Sequence, residues 1–237
     1  MVDSYIAIDL ETTGLDPKRD KIIEIGAVRI EQGKEREEFS TLINPRMELP
    51  DRIRTLTGID DSMLRDAPGI EAVIGTVKEF CCGLPLLGHR VIFDYSFLKR
   101  AVIDWGNEKE WEKDGIDTLA LCREFMPAEV KKSLVSACGY FGIESGAAHR
   151  ASADARAAHR LYQILALQYE GQLPESFGAH PMIYKVKRQQ PATKRQKERL
   201  HDLIKYHKIN MSVQIEYLTR NEASRLTDQI LSRYGRI

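Results

Sequence analysis

The 237-residue sequence holds only four cysteines, Cys81, Cys82, Cys122 and Cys138, and no two are spaced as CxxC. Vicinal cysteines rarely make structural bridges, so a disulfide framework, a zinc site and thiol chemistry are all disfavoured, and a reducing, cytoplasmic location is expected. No apolar run approaches the roughly 18 residues that mark a membrane span, so no membrane contact is expected. The first strand is expected within a few residues of Met1, so no secretory leader is expected. Net charge is missing too: 35 Lys and Arg balance 35 Asp and Glu. That balance is uneven along the chain. Residues 1–180 carry 22 basic against 30 acidic side chains, whereas residues 181–237 carry 13 against 5. An acidic body suits a carboxylate site, and a basic tail suits polyanions, although such a tail can equally be solvated surface.

What remains is a chain 43% hydrophobic and 30% charged, ordinary for a globular protein with a substantial core. Its length suits one sizeable domain and an appendage. Residues 4–10, 22–30 and 37–43 read as a meander of strands separated by turn signals at Asp16-Pro17 and Gln32-Gly33. Helical spacing follows over 70–80, a short apolar strand over 84–89, and further helices over 94–103, 119–125, 133–141 and 151–169. The last has Ala155, Ala158, Leu161, Tyr162, Leu165 and Leu167 as its apolar positions. This order predicts an α/β layer fold with a mixed sheet. Residues 171–191, rich in Gly, Pro, Gln and basic side chains, read as a linker after a domain over 1–170. A small basic helical module over 192–237 completes the chain. Two capping boxes, Thr193 to Gln196 and Thr219 to Glu222, start its helices. The second helix has Ala223, Leu226, Ile230 and Tyr234 inward, and an extended stretch over 209–215 lies between the two.

The chemistry is concentrated in acidic residues. In Ile6-Ala7-Ile8-Asp9-Leu10-Glu11-Thr12-Thr13-Gly14, strand alternation puts Asp9 and Glu11 on one face with Ala7, and Ile6, Ile8 and Leu10 on the other. Like charges so placed repel, and a hard divalent ion with oxygen ligands is their natural counterpart. An edge strand with a solvated acidic face is the plainer alternative. Two further acids, Asp94 after Gly88-His89 and Asp154 after His149, fall near helix starts, where the dipole alone favours a carboxylate. Ser152 suits the N-cap of the second of these helices.

The three segments together carry a resemblance. In their order and spacing, Asp9-Leu10-Glu11-Thr12-Thr13-Gly14, Gly88-His89 through Phe93-Asp94, and His149-Arg150-Ala151 through Asp154-Ala155 resemble the DEDDh 3′–5′ exonuclease family. That family includes the proofreading epsilon subunit of bacterial DNA polymerase III. Thr57-Gly58-Ile59, Asp66-Ala67-Pro68 and Asp117-Thr118-Leu119 add secondary matches, and the resemblance runs over residues 4–168. It implies an α/β, ribonuclease H-like, mixed five-stranded sheet flanked by helices. It implies two divalent cations, Mg2+ or Mn2+, held by Asp9, Glu11, Asp94 and Asp154, with His149 as general base. It further implies that Thr12, Thr13, Gly14 and Leu15 seat the terminal nucleotide, with Phe93 beside it. The expected substrate is single-stranded nucleic acid or a mismatched end, DNA favoured over RNA. An RNA-directed enzyme of the same family, or a non-catalytic tethering module, are the alternatives. The C-terminal module could contact nucleic acid or a replication or repair protein. One departure stands out: relatives commonly carry Asn where this chain has Arg90.

Overall fold

The structure is a computed structural model describing residues 1–106, 108–144, 150–211 and 213–236. Strands β1 (Tyr5–Thr12), β2 (Ile22–Glu31) and β3 (Lys34–Leu42) form the expected antiparallel meander. Its β2–β3 hairpin closes on Gln32 and Gly33, both at positive φ (52° and 72°), the arrangement that matches the twist of the flanking strands. Helices α1 (Asp51–Thr57) and α2 (Asp61–Leu64) follow, then α3 (Ile70–Phe80). Strand β4 (Leu86–Gly88) pairs parallel with β1, leading into α4 (Ile92–Trp105). Strand β5 (Asp114–Asp117) pairs parallel with β4 and precedes α5 (Thr118–Phe125), α6 (Leu134–Tyr140) and α7 (Ala151–Tyr169). A two-residue strand, β6 (His180–Pro181), adds antiparallel to β5, so the order is β3-β2-β1-β4-β5-β6. The sheet therefore has six strands rather than the expected five, the sixth being minimal.

Strand alternation divides the core. Ile6, Ile8 and Leu10 pack with residues of α3 and α4 on one face of the sheet. Tyr5, Ala7, Val28 and Ile30 pack on the other with α5, α6 and α7. The acidic side chains of β1 thus share the face covered by α7. Leu167, counted among the apolar positions of α7, is 89% exposed. It lies about 200° around the helix from the buried Leu165.

The stretch expected as a linker is partly folded. Phe177 is fully buried, its carbonyl accepting a bond from Tyr162 Oη at 2.8 Å, and Met182 packs so closely over Gly115 that a Cβ there would overlap its sulfur. Beyond it Ile183 is largely exposed. Both capping boxes form, opening α8 (Lys194–Tyr206) and α9 (Arg220–Tyr234) around a small core of Ala192, Leu200, Leu203, Ile215, Ala223 and Ile230. Between them the chain makes a 3-10 turn at Ile215–Tyr217. Tyr234 is 44% exposed instead of inward, its ring tilted against His207 in the last turn.

Candidate active site

Strand β1 lies between β2 and β4, so its acids are not those of a solvated edge. Carboxylate oxygens of Asp9, Glu11 and Asp154 all lie within 4.8 Å of one another, a donor set that suits a hard divalent cation. Asp94, in the first turn of α4, is 3% exposed and is not part of that trio. Its Oδ1 accepts from Leu10 N–H at 3.0 Å, so its place is fixed by the backbone of the acidic strand itself. Its charge is nonetheless felt. Burial, then Asp94, Asp154, Glu11 and Glu24, push the Asp9 carboxyl well above the usual carboxylate range. Burial, then Asp154 and Glu24, push Glu11 up to about 7 against an opposing pull from Arg150. Asp94 is raised as well, chiefly by burial and against the bonds from the backbone. A site whose acids resist ionising together becomes favourable once a cation enters.

How α7 reaches the sheet decides where Asp154 lies. Two residues of β2 outside the sequence motifs do this. Glu24, opposite Glu11 in the ladder and 1% exposed, accepts from Arg150 Nε and Nη2 at 3.0 and 2.8 Å and from Ala151 N–H at 3.2 Å. It satisfies a free amide at the start of α7 from a neighbouring strand, a task that no side chain at the N-cap itself performs. Ser152, expected as that cap, lies inside the helix, one residue past Ala151. Gly26, opposite Asp9, is where the helix touches the strand: a Cβ there would overlap the backbone of Ala151 and Ser152. A lone glycine inside an apolar strand is the sequence signal of such a close approach.

The loop after β1 is tied internally. Thr12 Oγ1 donates to Gly14 O at 2.6 Å, Thr13 N–H donates to Lys21 O at 2.9 Å, and Thr13 Oγ1 accepts from Lys21 N–H at 2.9 Å. Thr12, Thr13 and Gly14 are buried, whereas Leu15 is 73% exposed and open to a ligand. Phe93 is half-buried against Phe97, with ring centroids 5.0 Å apart. His89 has a structural place, bonded to Thr118 Oγ1 at 3.0 Å and Lys132 O at 2.6 Å, with burial holding its pKa down. His149 lies outside the described residues.

Residues 6–162 match the family model described as exonuclease. The chain belongs to that family. Its relatives place it with the DEDDh 3′–5′ exonucleases of the polymerase III epsilon and PolC type. It is 37% identical over 152 residues to the DNA polymerase III subunit epsilon of Aquifex aeolicus, covering 64% of this chain and 75% of that one. It is 35% identical over 162 residues to the PolC-type DNA polymerase III of Clostridium perfringens, covering 68% of this chain. The match spans only 11% of that longer protein. Among solved structures, E. coli exonuclease I in complex with a dT13 oligonucleotide superposes with a TM-score of 0.62 at 17% identity, over 73% of this chain and 43% of the other. Exonuclease X in complex with 5′ overhanging duplex DNA superposes at 0.54 with 23% identity, over 73% and 99%. At these identities the superpositions speak to the fold.

Arg90 holds an unusual backbone conformation. Arg90 has φ 74°, and its N–H donates to Asp117 Oδ1 at 2.8 Å. Asn tolerates this left-handed conformation better than Arg does. Arg90→Asn should therefore stabilise the protein by about 0.5–1 kcal/mol, read as a higher urea midpoint at unchanged slope. A lower midpoint would mean that the Arg90 side chain makes a compensating contact.

Gly26→Ala should do the opposite. Overpacking the seam between β2 and α7 should cost about 1–3 kcal/mol. It should also lower hydrolysis about a hundredfold, as expected when a reacting group is displaced by about 1 Å. Urea unfolding and a nuclease assay at saturating Mg2+ check both halves. A fully active Gly26→Ala would show that α7 can shift without moving Asp154.

Proposed function

We propose that this chain is a metal-dependent 3′–5′ exonuclease that removes nucleotides from single-stranded or mismatched DNA ends. The observation that carries the reading is the convergence of Asp9, Glu11 and Asp154 in a family of exonucleases. These three would hold one divalent cation. Asp9 would also share a second with Asp94, with Mg2+ or Mn2+ the expected ion at each. Cations held by these residues would stabilise the attacking and leaving oxygens of an in-line phosphoryl displacement. His149 takes the proton from the water that attacks the terminal phosphorus, and the bond to the preceding O3′ breaks. The backbone at Thr12, Thr13 and Gly14 orients the terminal nucleotide, with the exposed Leu15 and the ring of Phe93 against it.

Residues 1–170 would supply all of this chemistry. The basic module over 192–237 would add salt-dependent affinity for the strand or contact a replication or repair protein. A digest of end-labelled single-stranded DNA and RNA, with and without Mg2+ or Mn2+, tests the reading. Stepwise shortening of 5′-labelled DNA in metal, and none in EDTA, is expected. Faster shortening of RNA would reassign the substrate, and no shortening of either in either metal would leave the tethering alternative.

A further inference from the structure

We infer that the C-terminal module is a positioning element for the nucleotide-seating loop, acting through an ion pair between Glu222 and Lys21; this deepens, and rests on, the exonuclease reading. The loop over 12–21 is closed at its far end by Lys21, whose backbone N–H and C=O both bond to Thr13. Asp20 adds a second tie. It accepts from Asp16 N–H at 2.8 Å and leaves no room for a Cβ at Gly14. Whatever holds Lys21 therefore holds the register of Thr13 and Gly14, and through them the exposed Leu15.

The side chain of Lys21 is held by a residue 201 positions away. Its ammonium is paired with Glu222 Oε1 in the first turn of α9. Glu222 is 12% exposed and uses its two oxygens separately. Oε2 accepts from Thr219 N–H and Oγ1, each at 2.8 Å, completing the capping box, while Oε1 takes Lys21. Burial raises the carboxyl's pKa, yet Lys21 and the cap bonds together hold it below the usual glutamate value. It therefore remains a charged partner for Lys21 through the neutral range.

Other contacts bring the module to this place without gripping the loop. The Arg46 guanidinium lies 3.4 Å over the Tyr217 ring, and Gln189 N–H donates to Asp104 Oδ1 at 2.7 Å. The seam between them is hollow. A cavity of about 280 Å³ opens between residues 17–22 and 43–47, the end of α4 and the inner face of α9. Among the described residues, the Lys21–Glu222 pair is the polar contact that joins the loop to the module. The metal-binding carboxylates come from β1, α4 and α7, which the pair does not touch. Its loss should thus weaken substrate binding and spare the chemical step.

Glu222→Gln in the full chain separates the pair from the cap, because glutamine at this position still accepts the Thr219 bonds. KM for a single-stranded oligonucleotide should rise about three- to fivefold, the worth of a partly exposed ion pair. The change in kcat should stay within about twofold, the pattern of lost uniform binding. Lys21→Met should match it, Lys21→Arg should restore the wild-type KM, and the Thr13 and Lys21 amides should exchange faster in Glu222→Gln and Lys21→Met. Unchanged KM in both variants, a fall in kcat at constant KM, or no rescue by Lys21→Arg would overturn the inference. Failure of the wild type to hydrolyse DNA would sink the exonuclease reading alone. Amide exchange would still decide whether Glu222 holds the loop.

Discussion

Asp9→Asn, Glu11→Gln, Asp94→Asn and Asp154→Asn should each lower DNA hydrolysis at least about a thousandfold, since each withdraws part of a cation site worth several kcal/mol of charge stabilisation. The first three changes should leave the metal-free protein as stable as the wild type or more so. Burial and mutual repulsion raise the carboxyls of Asp9, Glu11 and Asp94, so neutral replacements remove an unfavourable interaction. The sign of the pH dependence follows. Glu11 has an ordinary value of 4.5 and is pushed up to about 7 in the fold, so between these the native state holds a proton that the unfolded chain has lost. Its contribution to metal-free stability therefore falls as pH rises through that window and is fully unfavourable above about 7. Saturating Mg2+ should reverse the trend, because ionised ligands are what it binds. Melting temperatures from pH 4.5 to 8 in EDTA and in Mg2+, for wild type and Glu11→Gln, measure this. A Glu11→Gln protein that cleaves at the wild-type rate, or a metal-free wild type with no excess loss of stability over the variant, would remove Glu11 from the site.

The pairing of Asp9 with Glu11 was legible because its signal is local. Alternation in β1 places Asp9 and Glu11 together, whereas Asp154 reads locally only as a helix-start acid, joined to them by the motif resemblance and carried to their face by α7. Three short elements were not legible. Strand β5 spans Asp114–Asp117, with one large apolar side chain, and α1 and α2 are too short for periodicity to mark them. Phe177 and Met182 were hidden for another reason. A Gly- and Pro-containing stretch reads as loose from composition, and only the fold reveals that two apolar side chains within it are buried. Glu24 and Gly26 show where reading a strand by hydrophobicity stops. Their work is to receive α7, a contact made across more than 120 residues.

His149→Ala should lower kcat by about 10²–10⁴-fold, the usual contribution of a general base. His149 lies outside the described residues, directly before an anchored stretch of chain. The next residue, Arg150, is bonded to the buried Glu24, and Ala151 N–H is bonded to the same carboxylate. This anchor fixes the chain one residue beyond His149, while the helix it starts carries Asp154 into the cluster. Histidine suits the role because its unperturbed pKa of about 6.5 leaves it half deprotonated near neutrality. The wild-type rate should thus rise with pH along one limb near neutral, and that limb should vanish in His149→Ala. Metal affinity, read as the Mg2+-induced rise in melting temperature, should persist, because the three clustered carboxylates are intact. Glu24→Gln should fall between wild type and His149→Ala in rate but keep the limb, since it weakens the anchor and leaves the imidazole. If His149→Ala retains the wild-type pH profile, the base is another group; if it loses the Mg2+-induced stabilisation, His149 acts on the cation site and not on the attacking water.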